Sequence, residues 1–208
     1  MNKIIIVDDH PIFRSGLKQI LNNEYDMEVT GEAENARELY QTLEKVEWDL
    51  VVLDISLPGE SGIDILKELK YRHDKVPVLV LSNHPESQYG VRSLKAGASG
   101  YMTKEAVPRE LVLAIRRILT GRKYISADLA ERLADNLHNK SGKPGHEKLS
   151  DREFQVMCML GSGKTVGEIA EELLLSVQTV STYRARVLQK MNMKTTAEVT
   201  RYVIENHL

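Results

Sequence analysis

Between residues 3 and 120 the chain repeats one unit five times: a short apolar run followed by an amphipathic stretch of helical length. Strand candidates are 3–7, 27–32, 49–53, 77–81 and 99–102. Helix candidates are the stretch carrying Ile12, Leu17, Ile20 and Leu21 at helical spacing, then 36–45, 62–72, 87–96 and 108–120. Strands separated by crossover helices pair in parallel, so the expected fold is α/β, a doubly wound five-stranded parallel sheet. Such sheets gather their functional groups at the carboxyl ends of the strands, near the switch point of strand order.

After Gly121 the alternation stops. Residues 126–137 read as one more helix, with Leu129, Leu133 and Leu137 stacked four apart, and HNKSGKPGHEK has linker composition. The last sixty or so residues contain no alternating strand run and predict a smaller all-α domain. Ser150 with Glu153, and Thr165 with Glu168, are capping-box spacings that start two of its helices. The expected organisation is 1–121 for the first domain, 122–145 for a linker helix and flexible linker, and 146–208 for the second domain.

A length of 208 residues suits two domains, and 42% hydrophobic with 28% charged residues describes an ordinary globular protein. The longest apolar runs are strand-sized, and the opening MNKIIIVDDH meets acids at once. No membrane segment or secretory signal is expected, and the predicted location is cytoplasmic. Cys158, the single cysteine, falls in an apolar helical pattern and is expected to fill core. The net charge of −2 averages over unlike parts: from Leu173 to Ala197 there is no acid, while Arg184, Arg186, Lys190 and Lys194 are present.

Asp8 and Asp9 close the first strand and Asp54 the third, so three carboxylates should meet at the carboxyl edge. Their repulsion is relieved by a hard dication such as Mg²⁺, which takes a few carboxylates together with water and phosphate oxygens. Ser82, ending the fourth strand, and Lys104, following the fifth, add a hydroxyl and a fixed positive charge. An acidic nucleophile, a metal site, a hydroxyl and a lysine make a site for accepting a phosphoryl group.

The segments IIIVDDHP, VVLDISLPGESGIDIL, VLVLSNH and GASGYMTKEA resemble the receiver domain of two-component response regulators over residues 3 to 120. The resemblance implies a flavodoxin-like sheet, phosphorylation of Asp54 by a sensor histidine kinase, and Mg²⁺ held by Asp8, Asp9, Asp54 and the carbonyl of Ser56. It also implies that Ser82 and Lys104 sense the phosphate, that Tyr101 is the aromatic switch residue, and that Pro58 and Gly62 shape the loop after the phosphorylated strand.

In the second domain a helix over 165–172, a tight turn, and a helix from the Ser176 cap to about Met191 form a helix-turn-helix pattern. On a helical wheel Val177, Val180, Val187, Leu188 and Met191 share one face, and Gln178, Thr182, Ala185, Arg186 and Gln189 the other. Arg184 is expected at the edge of the buried face. Residues 149–193 are similar to the LuxR-type domain of NarL/FixJ regulators, and the TYRAR segment to the GacA-like subgroup. That similarity implies binding of double-stranded promoter DNA as a homodimer when phosphorylated. The candidate DNA contacts are Gln178, Thr179, Ser181, Thr182, Arg184, Ala185 and Arg186.

The implied function is a phosphorylation-activated transcription regulator, not a turnover enzyme. The alternative is a small Mg²⁺-dependent phosphatase with an aspartyl-phosphate intermediate. Such enzymes use an aspartate at the end of the first strand and a second acid two residues on. Here Asp9 precedes His10 and Pro11, and position 56 is Ser.

Overall fold

The computed structural model describes residues 1–57, 59–138 and 145–208, with no side-chain description for 135–138. Pro58, Leu137's side chain and residues 139–144 of the expected linker therefore lie outside the described residues. The chain divides into two compact units, Met1–Glu131 and Arg132–Leu208.

In the first unit, strands β1 (Asn2–Val7), β2 (Met27–Ala33), β3 (Leu50–Asp54), β4 (Val78–Ser82) and β5 (Gly100–Thr103) form one parallel sheet ordered β2-β1-β3-β4-β5. Helices α1 (Pro11–Asn22), α2 (Ala36–Leu43), α3 (Gly62–Arg72), α4 (Glu86–Lys95) and α5 (Val107–Leu119) make the crossovers. Strand order reverses between β1 and β3, which places Asp8, Asp9 and Asp54 at the switch point. Both β3 and β4 are buried along their whole length, as strands covered on two faces must be.

Side chains alternate between the two faces of the sheet. Ile4, Ile6, Val52, Leu79 and Met102 meet Leu17 and Leu21 of α1 and Leu111, Ile115 and Ile118 of α5 in one core. Burying each such side chain fully contributes roughly 1.5–3 kcal/mol.

The first unit continues past residue 121, where the sequence reading closes the domain. The Tyr124 N–H donates to the Ser99 carbonyl, and Tyr124 forms a parallel bridge with Gly100. Helix α6 (Ala127–His138) then begins on α4: Leu129 is fully buried, and a Cβ on Gly90 would lie 2.7 Å from a Leu129 methyl. Polar composition conceals this docking, because it rests on one leucine and one missing side chain.

The second unit is helical, with α7 (Asp151–Gly161), α8 (Val166–Glu172), α9 (Val177–Met191) and α10 (Thr196–Glu205). Ser150 and Thr165 form capping boxes with Glu153 and Glu168, and Ser176 and Thr195 accept from the N–H groups three residues on. Each cap satisfies an otherwise orphaned donor, worth about 1 kcal/mol. Phe154, Met157, Ile169, Val180, Val187, Val199 and Val203 form the core, and Cys158 is buried among them as expected. Glu153 is also buried; Lys190 of α9 meets its Oε2 at 2.6 Å. Burial raises the Glu153 pKa, but the Lys190 and Ser150 hydrogen bonds outweigh it and hold the carboxyl below its usual range.

Gly62 opens α3 where that helix touches the end of β3. A Cβ there would lie 2.2 Å from Ile55 Cα, a backbone atom. Gly62→Ala is therefore expected to displace the loop behind Asp54 and to destabilise the first unit by about 1–3 kcal/mol. Urea denaturation measures it, and a change below about 0.5 kcal/mol, the range of a neutral substitution, would contradict the close contact.

Candidate functional site

The carboxyl ends of β1, β3 and β5 converge on one ammonium. Lys104 Nζ lies 2.6 Å from Asp8 Oδ2 and 2.7 Å from Asp54 Oδ2, with all three side chains nearly inaccessible. Beneath it is the Phe13 ring, 4.6 Å from the ammonium, which adds a cation–π contact. Burial raises the Asp54 pKa, and Lys104 and the Ser56 N–H oppose that rise without cancelling it. Burial also disfavours the Lys104 ammonium, but Asp54 and Asp8 outweigh it, so Lys104 stays protonated.

Asp54 Oδ1 accepts from the Ser56 N–H at 2.7 Å, which turns the chain tightly after β3. Asp9 is half-buried beside this pair. Asp8, Asp9, His10 and Asp54 offer ligand atoms that lie within 4.8 Å of one another. Asp8 Oδ2 and Asp9 Oδ1 are buried and accept no well-formed hydrogen bond; their charge contacts are to Lys104 and His10. Three carboxylates against one ammonium leave two formal negative charges. An oxygen-rich site of that charge fits a hard divalent cation.

Ser82 and Tyr101 meet through one residue. The His84 N–H donates to Ser82 Oγ at 2.9 Å, and the Tyr101 hydroxyl donates to the His84 carbonyl at 2.8 Å. Tyr101 is fully buried, so its ring already points inward. The His84 ring lies 5.0 Å from that of Tyr89 on α4.

Three neighbours escaped sequence reasoning. His10 Nδ1 is 2.8 Å from Asp9 Oδ1, and the His10 N–H donates to Asp8 Oδ1. Arg14 donates to the Asp8 carbonyl at 2.5 Å while pairing with Glu32 and Glu34. Phe13 is the third. The available signal was Pro11, which starts α1 immediately after the acids and so brings residues of its first turn back beside them.

In the second unit Gln178, Thr182, Ala185, Arg186 and Gln189 are exposed on α9, and Thr179, Ser181 and Arg184 are half-buried. Arg184 Nε donates to Thr196 Oγ1 at 2.8 Å, consistent with the expected edge position. Val180 and Val187 are buried as expected, but Val177 is not: it is 57% exposed. The wheel groups residues by angle alone, whereas the first turn of α9 has no neighbour among the described residues that covers Val177.

Residues 4–116 match the family described as "Response regulator receiver domain", and 147–203 match "Bacterial regulatory proteins, luxR family". Response regulator UvrY of Escherichia coli (strain K12) is 33% identical over 100% of this chain and 96% of its own length. Response regulator GacA of Pseudomonas syringae pv. syringae is 32% identical over 96% and 94%. A solved structure of RcsB from Salmonella enterica serovar Typhimurium, bound to promoter rprA with the phosphomimetic BeF3−, has a TM-score of 0.65. It is 25% identical and covers 98% of each chain. These matches lend no support to the phosphatase alternative, and no acid stands two residues beyond Asp54. With an acid–lysine site at the switch point of one unit and a capped helix-turn-helix in the other, the chain is a response regulator of the NarL/FixJ family, a receiver domain joined to a LuxR-type DNA-binding domain.

Proposed function

We propose that Asp54 accepts a phosphoryl group from a sensor histidine kinase and that the modified chain, as a homodimer, binds promoter DNA through α9. The observation that carries this is the placement of Asp54 at the centre of the sheet, in contact with Lys104 and beside Asp8 and Asp9. One carboxylate oxygen forms the new bond to phosphorus while the donor's bond breaks, its electron pair leaving with the donor group. Lys104 is released from part of its pairing with Asp54 and meets the developing charge on the phosphoryl oxygens. Mg²⁺ held by Asp8, Asp9, Asp54 and the Ser56 carbonyl would neutralise those oxygens further. The receiver acts on itself alone, so the chain is a regulator rather than a turnover enzyme. The proposed parts are a receiver over 1–121, a linker over 122–145 whose first residues, to Glu131, pack with the receiver, and a DNA-binding domain over 146–208. The proposed location is cytoplasmic; no described helix is long and apolar enough to cross a membrane.

Ser82 senses the phosphate with its hydroxyl. A hydroxyl drawn toward the phosphate leaves the His84 N–H without its acceptor, and Tyr101 holds the carbonyl of that same residue. The β4–α4 loop therefore has two arrangements, and a difference of a few kcal/mol between them shifts the population decisively.

On the DNA side, Gln178, Thr179, Ser181, Thr182, Arg184, Ala185 and Arg186 are the proposed contacts. Arg186 and Thr182 rank above Arg184, whose guanidinium is engaged with Thr196. A single short helix with few basic groups binds specific DNA weakly, and two copies joined through their receivers gain effective concentration without a new base contact.

Asp54→Asn is expected to abolish Mg²⁺-dependent labelling by acetyl phosphate; undiminished labelling, with the acyl phosphate mapped to another aspartate, would overturn the assignment. Ser82→Ala and Tyr101→Phe should each reduce the gain in DNA affinity that phosphorylation brings, read by gel shift with and without phosphodonor. An unchanged gain in both variants excludes the proposed switch. Footprinting of phosphorylated protein should reveal inverted half-sites about one helical turn apart, and sedimentation should find a dimer. Arg186→Ala should then weaken binding and lower its salt slope, or relax one base preference. A monomer protecting one half-site at full affinity is incompatible with this mechanism.

A further inference from the structure

The corner between α8 and α9 carries two apolar side chains in solvent. Leu174 is 71% exposed, with a backbone φ of 52°, and Val177, the first residue of α9, is 57% exposed. Neither serves stability. Exposure forfeits most of the 1.5–3 kcal/mol that burying such a side chain contributes, and a leucine in the left-handed region adds roughly 1–2 kcal/mol of strain. The backbone there needs a left-handed residue, since the Leu174 N–H donates to the Glu171 carbonyl and the Leu175 N–H to that of Ala170. Such a helix-ending position ordinarily holds Gly or Asn. A helix start likewise accommodates a polar residue well, so an exposed valine after the Ser176 cap has no local justification.

The surroundings indicate what covers the corner. Val177 is adjacent to Gln178 and one turn from Ser181, on a helix without acids that carries Arg184 and Arg186. Polar edges of the major groove present donors and acceptors, and the only apolar group among them is the 5-methyl of thymine. N-terminal residues of a recognition helix are those that meet base edges. We propose that Val177 reads a thymine methyl group, with Leu174 shielding that contact from water. The inference rests on α9 being the DNA-reading helix, and it adds Val177 as a determinant of sequence preference.

The test uses full-length phosphorylated protein and a duplex selected from a random pool, with each thymine replaced in turn by uracil, which removes the methyl alone. At one thymine per half-site the wild-type protein should lose affinity about fourfold, the value of one buried methyl. Val177→Ala should bind the thymine duplex about as weakly as the wild type binds the uracil duplex, and should not distinguish the two. Leu174→Asn, which suits the left-handed backbone, should halve or abolish the thymine preference while the helical circular dichroism is unchanged. A wild-type protein indifferent to every substitution, or a Val177→Ala protein with the full thymine preference, overturns the inference while leaving DNA binding intact. Failure of the wild-type protein to select any duplex overturns the DNA-reading role of α9 and the inference together.

Discussion

The contact of Lys104 with Asp8 and Asp54 is the constraint on which the receiver unit depends. Three acids at one sheet edge repel, and with water largely excluded the repulsion is stronger than at a surface. One buried ammonium, reaching back from the end of β5 across β4 to β3 and β1, contacts two of them and holds them in place. Neighbouring strands lie about 4.8 Å apart, so only a long side chain spans that distance. The Phe13 ring faces the ammonium, and Pro11 starts the helix that carries Phe13 there.

From that edge a continuous run of packed groups leads away. Ser82 and Tyr101 both hold His84, the His84 ring meets Tyr89, and α4 receives Leu129 over Gly90. Ser126 of the segment entering α6 hydrogen-bonds Glu86 at the start of α4. The beginning of the linker helix is thus part of the receiver's packed body, and α4 touches both the loop that follows Ser82 and the segment leaving that body. In chains of rigid contacts like this, a change at one end is felt as a discrete repacking rather than a gradual deformation.

Most of the architecture was legible because its signals are local. Alternating apolar runs gave β1 to β5 to within a residue or so at each end, and side-chain caps marked α7, α8 and α9. The acid, hydroxyl and lysine positions followed from the rule that parallel sheets keep function at their carboxyl edge. Illegible features depend on what lies opposite a residue. His10 and Arg14 carry no local mark of a site, Leu129 reads as one of three leucines stacked on a linker helix, and Lys190 as one base of an acid-free stretch, although it pairs with a buried carboxylate. Val177 is the reverse case: its angle on the wheel is right for burial, but among the described residues nothing covers it, although Val180 in the same turn is buried. Periodicity records direction, and burial also requires a partner.

The Ser and Thr caps of the second unit have a kinetic consequence. Each of its helices begins with a side chain that stops its own backbone from fraying, so much of that unit is specified over spans of a few residues. Chains dominated by such near-neighbour contacts fold in microseconds to milliseconds, whereas a parallel sheet must first bring together strands separated by whole helices and is slower. In the first unit β1 has to await β3 and admit it between itself and β4. Synthesis delivers that slow sheet first and the fast helices last. The ribosome thus gives the receiver a head start, and the DNA-reading helices are completed on a chain whose regulatory half has already had time to form.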